Sequence, residues 1–232
     1  MIKQSGVSPT LGLENGRILL RIPMEIEARL FCKWMGNSAT NRFLNSEDPL
    51  LLEEKLERLY KDFAILPQGN VVQVPSLSIK MLKPPERSLQ QRFPREIVFA
   101  MVEKESCRCI GAMALQHISN VSKTAYTRTV IGRPEFQGKG FSREAKMLLL
   151  QYAFETLELE KICSNSIESN LRSYNYNQAC GYKVEAVLKS HAVVDAKRHD
   201  LVCMAIFKKD WPEALTQYQL DVTRRKEKAG KI

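Results

Sequence analysis

The stretch that decides the fold reads Thr127-Arg-Thr-Val-Ile-Gly-Arg-Pro-Glu-Phe-Gln-Gly-Lys-Gly-Phe-Ser142, followed by an apolar-periodic run to Glu158. Its β-prone part ends at Ile131. A short linker containing Pro134 leads into the turn Gln137-Gly138-Lys139-Gly140, and from about Phe141 the spacing turns helical. Ala145, Leu148, Leu149, Tyr152 and Ala153 fall at i, i+3, i+4, i+7 and i+8, one face of a 3.6-residue helix. Strand, glycine turn and helix together make a place for an anion. Glycines let a ligand approach the backbone, and the first-turn N–H groups of a helix point outward without carbonyl partners. The stretch lacks the third glycine of the dinucleotide fingerprint, and no Gly-Lys-Ser/Thr closes it as in a P-loop. The same pattern also serves as an ordinary turn, so the rest of the chain has to decide between the two.

At 232 residues with 44% hydrophobic content, the chain can bury a full core in one large domain or two small ones. No apolar run approaches the roughly 18 residues that span a bilayer. Met1 to Gly16 lacks the basic-then-apolar order of a secretory signal, so a cytoplasmic protein is expected. Of the six cysteines only Cys107 and Cys109 are close, and a single Cys-x-Cys is a poor zinc pattern, so no metal is expected. The net charge of +9 suits an anionic, phosphate-rich ligand. Arg224, Arg225, Lys226, Lys228 and Lys231 concentrate part of it in residues 212–232, which read as a solvated, frayed basic tail. No aromatics interleave these charges, so nucleic acid is not indicated as a partner.

In chain order, residues 1–16 read as an N-terminal extension, and Arg17 to Ile22, between Gly16 and Pro23, reads as a strand. Met24 to Met35 is helical, with Ile26, Leu30, Phe31 and Trp34 on one side. A second helix follows Ser46-Glu47-Asp48-Pro49, with Leu52, Leu56, Leu59, Tyr60 and Phe63 as its stripe. Five prolines punctuate residues 67–94, which read as an irregular insert with one short strand around Leu77 to Met81. Strands are expected at Glu96–Val102, Cys109–Gln116 and Thr124–Ile131, then, after the central helix, at Lys161–Ile167. Asn170 caps a helix that ends near Gly181, and strands at Tyr182–Leu188 and Leu201–Phe207 flank a polar turn. The order β-α-α-(insert)-β-β-β-α-β-α-β-β predicts one α/β (α+β) domain over residues 17–211. Its mixed sheet would be antiparallel at the hairpins and parallel where the central helix crosses.

This order and its motifs resemble the GNAT superfamily of N-acetyltransferases. The turn from Gln137 to Ser142 fits the superfamily signature Arg/Gln-x-x-Gly-x-Gly/Ala, with Ser142 in place of the last small residue. Asn170-x-x-Ser173 followed by Gly181-Tyr182, and His199-Asp200 opening the last strand, are similar to the branch that acetylates alanine or serine N-termini of ribosomal proteins. The resemblance implies acetyl-coenzyme A as cosubstrate. Its diphosphate would lie on the main-chain amides of Gln137, Gly138, Lys139, Gly140, Phe141 and Ser142. Its pantetheine arm would run along the strand edge at Val130 and Ile131, where the superfamily splays two parallel strands apart, and Asn170 and Ser173 would line it.

Acetyl transfer needs a deprotonated amine, a polarised carbonyl and a donor or counter-charge for the leaving thiolate. Many relatives place a tyrosine at position 177 for the last task. Here that position is asparagine, so the resemblance points to Ser173, with Tyr174 and Tyr176 in reserve. His191 and Glu135 are the candidate bases. Helix packing for the tyrosines and an exposed hairpin position for His191 stand beside those roles, and His199 with Asp200 also reads as a pair that orders the hairpin. The implied function is acetyl transfer by direct attack of a primary amine, on a protein N-terminus or on a small molecule such as an amino sugar or polyamine. The alternative is a non-catalytic sensor of acyl-coenzyme A. Monomer and homodimer are both open.

Overall fold

The computed structural model describes residues 12–35, 71–74, 77–82 and 96–229. In chain order these form β1 (Gly12–Asn15), β2 (Ile18–Arg21), α1 (Glu25–Met35), β3 (Val71–Val74), β4 (Leu77–Leu82), β5 (Ile97–Glu103), β6 (Arg108–Ser119) and β7 (Thr124–Ile131). They continue with α2 (Phe141–Gln151), β8 (Lys161–Ile167), α3 (Leu171–Ala179), β9 (Lys183–Val194), β10 (Lys197–Phe207) and α4 (Trp211–Ala229). Eight strands make one sheet in the order β1-β2-β5-β6-β7-β8-β10-β9, and β3 pairs with β4 apart from it. Every neighbouring pair in the large sheet is antiparallel except β7–β8. That exception follows from the chain itself, because only a helical crossover can return a strand in the same direction.

The sheet is packed on both faces, and β5 shows why. Ile97, Phe99 and Met101 enter the main core with α2 and α4. Val98, Ala100 and Val102, pointing the other way, meet Phe31 and Trp34 of α1. Strict alternation of two apolar sets is what a central, doubly covered strand requires. Within α2, the expected stripe Ala145, Leu148, Leu149, Tyr152 and Ala153 is buried. Each buried leucine contributes about 2 kcal/mol.

Several expectations are corrected. Ile26, expected on the packed side of α1, is 74% exposed; the helix buries Phe31 and Trp34 instead. Residues 211–229 do not fray. They form α4, whose Trp211, Leu215, Tyr218 and Val222 pack against the main core. Their i, i+4, i+7, i+11 spacing is an apolar stripe that the lysines and arginines mask on a first reading. The insert at 67–94 holds a β3–β4 hairpin, of which only the second strand was expected. The sheet also begins earlier than Arg17, because β1 pairs with β2. The β9–β10 hairpin is longer than expected and turns at Asp195 and Ala196, both with positive φ. The helix read after Ser46 lies outside the described residues. Among those described, no helix is long and apolar enough to cross a membrane.

Candidate active site

The glycine turn sits where the sheet opens. β7 and β8 pair over three positions, Thr124↔Lys161, Ala125↔Ile162 and Tyr126↔Cys163, and then part. Beyond Tyr126, β7 stays paired with β6 while β8 pairs with β10. From Thr127 to Ile131 the edge of β7 that faces β8 therefore bounds a wedge, as the resemblance implied. At about 3.3 Å per residue, this free edge runs about 13 Å. The turn leads from the open end of that edge into α2.

Gly138 and Gly140 take φ of +73° and +83°, a left-handed region that side chains rarely adopt, and Gly140 occupies the N-cap of α2 without any side-chain cap. The first main-chain donor to close onto the helix is Glu144 N–H, to Gly140 O at 3.2 Å. The N–H groups of Phe141, Ser142 and Arg143 thus open the helix without carbonyls of their own. Gln137 N–H is different, since it donates to Pro134 O at 3.0 Å, so the amides open to an anion begin after it. The Gln137 side chain is a brace. Its Nε2 donates to Ile131 O at 3.1 Å, and its Oε1 accepts from Arg172 Nη1 at 2.9 Å.

Positive charge gathers over this turn from distant parts of the chain. A methyl group at Gly140 would lie 3.4 Å from Arg225 Nη1 and 3.7 Å from Arg17 Nη2. Arg225 arrives because α4 lies along α2, held by Arg143–Asp221 at 2.8 Å. Arg17 arrives through Glu144. This buried carboxylate accepts from Arg17 N, from Ile18 N at 3.1 Å and from the Arg17 guanidinium at 3.1 Å, which also stacks 4.3 Å from the Phe141 ring centroid.

At the apex of the wedge stands Lys146, 1% exposed. Its Nζ donates to Thr127 Oγ1 at 2.5 Å and to Asn177 Oδ1 at 3.4 Å. It lies 5.1 Å and 5.0 Å from the ring centroids of Tyr176 and Tyr182. Burial pulls the ammonium down to about 8, and it pushes both phenols well above their ordinary range. The phenols tie the walls together, Tyr182 to Thr127 at 3.3 Å and Tyr176 to Thr129 at 3.1 Å. Among the described residues, two buried polar atoms on the elements around the wedge, Asn177 Nδ2 on α3 and Ser166 Oγ on β8, have no hydrogen-bond partner.

Asn170 caps α3 as expected, accepting from Ser173 N–H at 3.1 Å. Asn170→Ala should cost about 1 kcal/mol of stability, read from the urea midpoint. Ser173 sits on the first turn of α3, half-buried. Val130 and Ile131 lie at the open end of the free edge, so turn, edge and α3 are brought together. The two candidate bases are not brought to the apex. Glu135 is half-exposed just before the turn, beside Arg108 at 3.5 Å and Arg133 at 3.9 Å. His191 is exposed on β9, three strands and about 14 Å across the sheet from β7. Asp200 orders the hairpin through Ser190 N–H and Lys189 at 2.9 and 2.6 Å, while His199 pairs with Glu168 rather than Asp200. The Lys189 partner holds the Asp200 carboxyl below its usual range. Arg17, Glu144, Lys146 and Arg225 escaped the sequence reading.

The chain is 29% identical over 106 residues to the spermidine N(1)-acetyltransferase of Vibrio cholerae, covering 46% of this chain and 61% of that protein. To the [ribosomal protein uS5]-alanine N-acetyltransferase of Escherichia coli K12 it is 25% identical over 116 residues, covering 49% and 58%. The matched region is thus little more than half of each relative's length. A crystal structure of the Vibrio cholerae spermidine N-acetyltransferase in complex with CoA and spermine shares the fold, with a TM-score of 0.66 at 21% identity over 85% of this chain and 99% of that one. An acetyltransferase (GNAT) domain profile matches residues 17–183, the span that holds the splayed strands, the glycine turn and α3, and the chain therefore belongs to the GNAT acetyltransferase family.

Proposed function

We propose that this protein moves an acetyl group from acetyl-coenzyme A to a primary amine by direct attack. The carrying observation is the uncapped N-terminus of α2 behind two left-handed glycines, at the open end of the β7–β8 wedge. The site fits the cosubstrate. The amides from Gly138 to Arg143 and the guanidiniums of Arg17 and Arg225 suit a diphosphate. The β7 edge at Val130 and Ile131, where Ile131 O already accepts from Gln137 Nε2, suits an amide-bearing arm laid down as an added strand. Asn170 and Ser173 line that arm from α3. The orphaned Asn177 Nδ2 and Ser166 Oγ are polar groups that a polar ligand in the wedge would satisfy.

The acceptor we favour is an α-amino group, as at a protein N-terminus. Its pKa of about 7.7–8.0 leaves much of it neutral near pH 7.5, whereas an amine at about 10.4 needs a base to deprotonate it. Neither His191 nor Glu135 lies at the apex, so the amine's proton passes to water. The net charge of +9 also repels a polycation more than a peptide end. Relatives that act on each kind of amine keep a spermidine-like acceptor in the panel.

Calorimetric titration with coenzyme A, followed by acetylation of a panel of peptides, amino sugars and polyamines, tests the reading. Ser142→Asp supplies the control. Its carboxylate should weaken coenzyme A binding at least about tenfold by occupying the anion site, yet stabilise the unliganded protein by about 0.3–1 kcal/mol at the helix N-terminus. Failure of the wild type to bind millimolar coenzyme A would sink the proposal.

A further inference from the structure

We propose that Lys146 is the proton donor to the sulfur that leaves when the acetyl group is transferred. The inference rests on the proposed acetyl-coenzyme A reading and adds to it a catalytic residue from α2.

An arm anchored at the turn and laid along the free edge of β7 runs from Ile131 toward Thr127, so its thiol end arrives at the apex. The apex is where Lys146 Nζ sits, bonded to Thr127 Oγ1, the first side chain past the last β7–β8 pair. Ser173 lies one helical turn before Asn177 on α3, toward the mouth of the wedge, and there it meets the arm rather than the sulfur.

Lys146 is surrounded by neutral groups. The groups facing it are Thr127 from β7, Tyr176 and Asn177 from α3, and Cys180 and Tyr182 just after that helix. Burial holds both phenols well above their ordinary range and pushes the Cys180 thiol up to about 12, so all of these are neutral near pH 8. Among the described residues no carboxylate pairs with the ammonium. A buried charge normally acquires a counter-ion, because an uncompensated one is costly. A cation kept this way in a preorganised, dry apex is suited to a negative charge that arrives only during the reaction.

Asn177 Nδ2 and Ser166 Oγ are buried without partners. Alternation puts Ser166 on the same face of β8 as Ile162, which packs in the core with α2. Asn177 also accepts from the ammonium at 3.4 Å, and Ser166 lies farther along β8 toward the open end of the wedge; unpaired polar atoms of this kind suit a pocket that receives a polar group.

The neutral amine nitrogen bonds to the carbonyl carbon, the carbon–sulfur bond breaks, and its electron pair leaves on sulfur. The Lys146 ammonium passes one proton to that sulfur, giving the free thiol. The amine's own proton goes to water, and solvent reprotonates Lys146 once the product leaves. A donor lowered to about 8 is well matched to a thiol of about 8.5.

The test compares wild type with Lys146→Met and, as a second neutral variant should methionine not fold, Lys146→Gln. The first readout needs no turnover: the thiol of bound coenzyme A is titrated through its alkylation rate against pH. An ammonium beside the sulfur should lower that thiol's pKa by about one unit or more in the wild type relative to the variant. The second readout is kinetic. Lys146→Met should lower kcat by about 100-fold, leave coenzyme A affinity within a few-fold, and abolish the fall in kcat above about pH 8. Equal thiol titration and equal kcat in wild type and variant would overturn the assignment while leaving the transferase reading intact. Absence of any coenzyme A binding by the wild type would overturn both.

Discussion

Lys146→Met should remove a pH-dependent stability penalty of about 3 kcal/mol. The ammonium falls from 10.5 to about 8 through burial, a difference worth about 1.4 kcal/mol per pKa unit. Here the folded state disfavours the proton, the reverse of a lysine that has gained a carboxylate. Below about pH 8 both folded and unfolded chains carry the proton, and the whole penalty is present. Between about 8 and 10.5 the unfolded chain binds more protons than the folded one, so stability rises with pH. Above 10.5 both are neutral and the penalty is gone. Urea unfolding of wild type and variant across this range should show the variant's advantage shrinking by about 3 kcal/mol from pH 8 to 10.5. At neutral pH the net gain is smaller than that figure, because Thr127 and Asn177 lose a partner and two cation–π contacts go. Parallel stability curves would show that the ammonium is solvated in the folded state. A residue that weakens the fold yet stands at the apex of the wedge is what a trade of stability for activity looks like.

Glu144→Ala should cost about 3–5 kcal/mol, a larger loss than any single surface change. This carboxylate accepts from the main-chain N–H groups of Arg17 and Ile18 and from the Arg17 guanidinium, and it is 7% exposed. Alanine leaves the buried Ile18 donor without a partner and loosens Arg17, whose guanidinium also stacks on Phe141 and donates to Lys139 O at 3.2 Å within the glycine turn. The loss should therefore appear twice, in the urea midpoint and in weaker coenzyme A binding. Glu144→Gln keeps one acceptor oxygen and should cost about 1–3 kcal/mol. A drop below about 1 kcal/mol for alanine would mean that water replaces the carboxylate and that β2 is not tied to the turn through it.

The two residues share a reason for having been invisible in the sequence. A periodicity reading assigns one apolar stripe to a surface helix, and it found that stripe in α2. It did not foresee that α2 is enclosed. The sheet covers one side, α3 another and α4 a third, so Glu144, Lys146 and Met147 are buried as well. Charges inside such a helix are satisfied only by partners far along the chain: 126 and 127 positions away for Glu144, 19 and 31 for Lys146. No local pattern carries that information. The basic C-terminal segment was misread for a related reason. Arg224 and Arg225 are exposed as expected, but its Trp211–Leu215–Tyr218–Val222 stripe buries the other face and carries Arg225 to the turn.

What the sequence determined by itself was everything fixed by short-range stereochemistry. This includes strands of alternating apolar residues, the helix after Gly140, the Asn170 cap, and the glycines whose left-handed conformation opens a ring of amides. Together with their order these specify the mixed sheet and its one parallel crossover, because a helix between two strands of one sheet leaves no other economical connection. Tertiary structure alone decided how far β7 and β8 pair before they part and which distant guanidiniums gather over the turn. It also decided which lysine is stripped of water at the wedge's apex. Those outcomes depend on electrostatics and desolvation, and both are properties of the neighbours that folding supplies rather than of the residue itself.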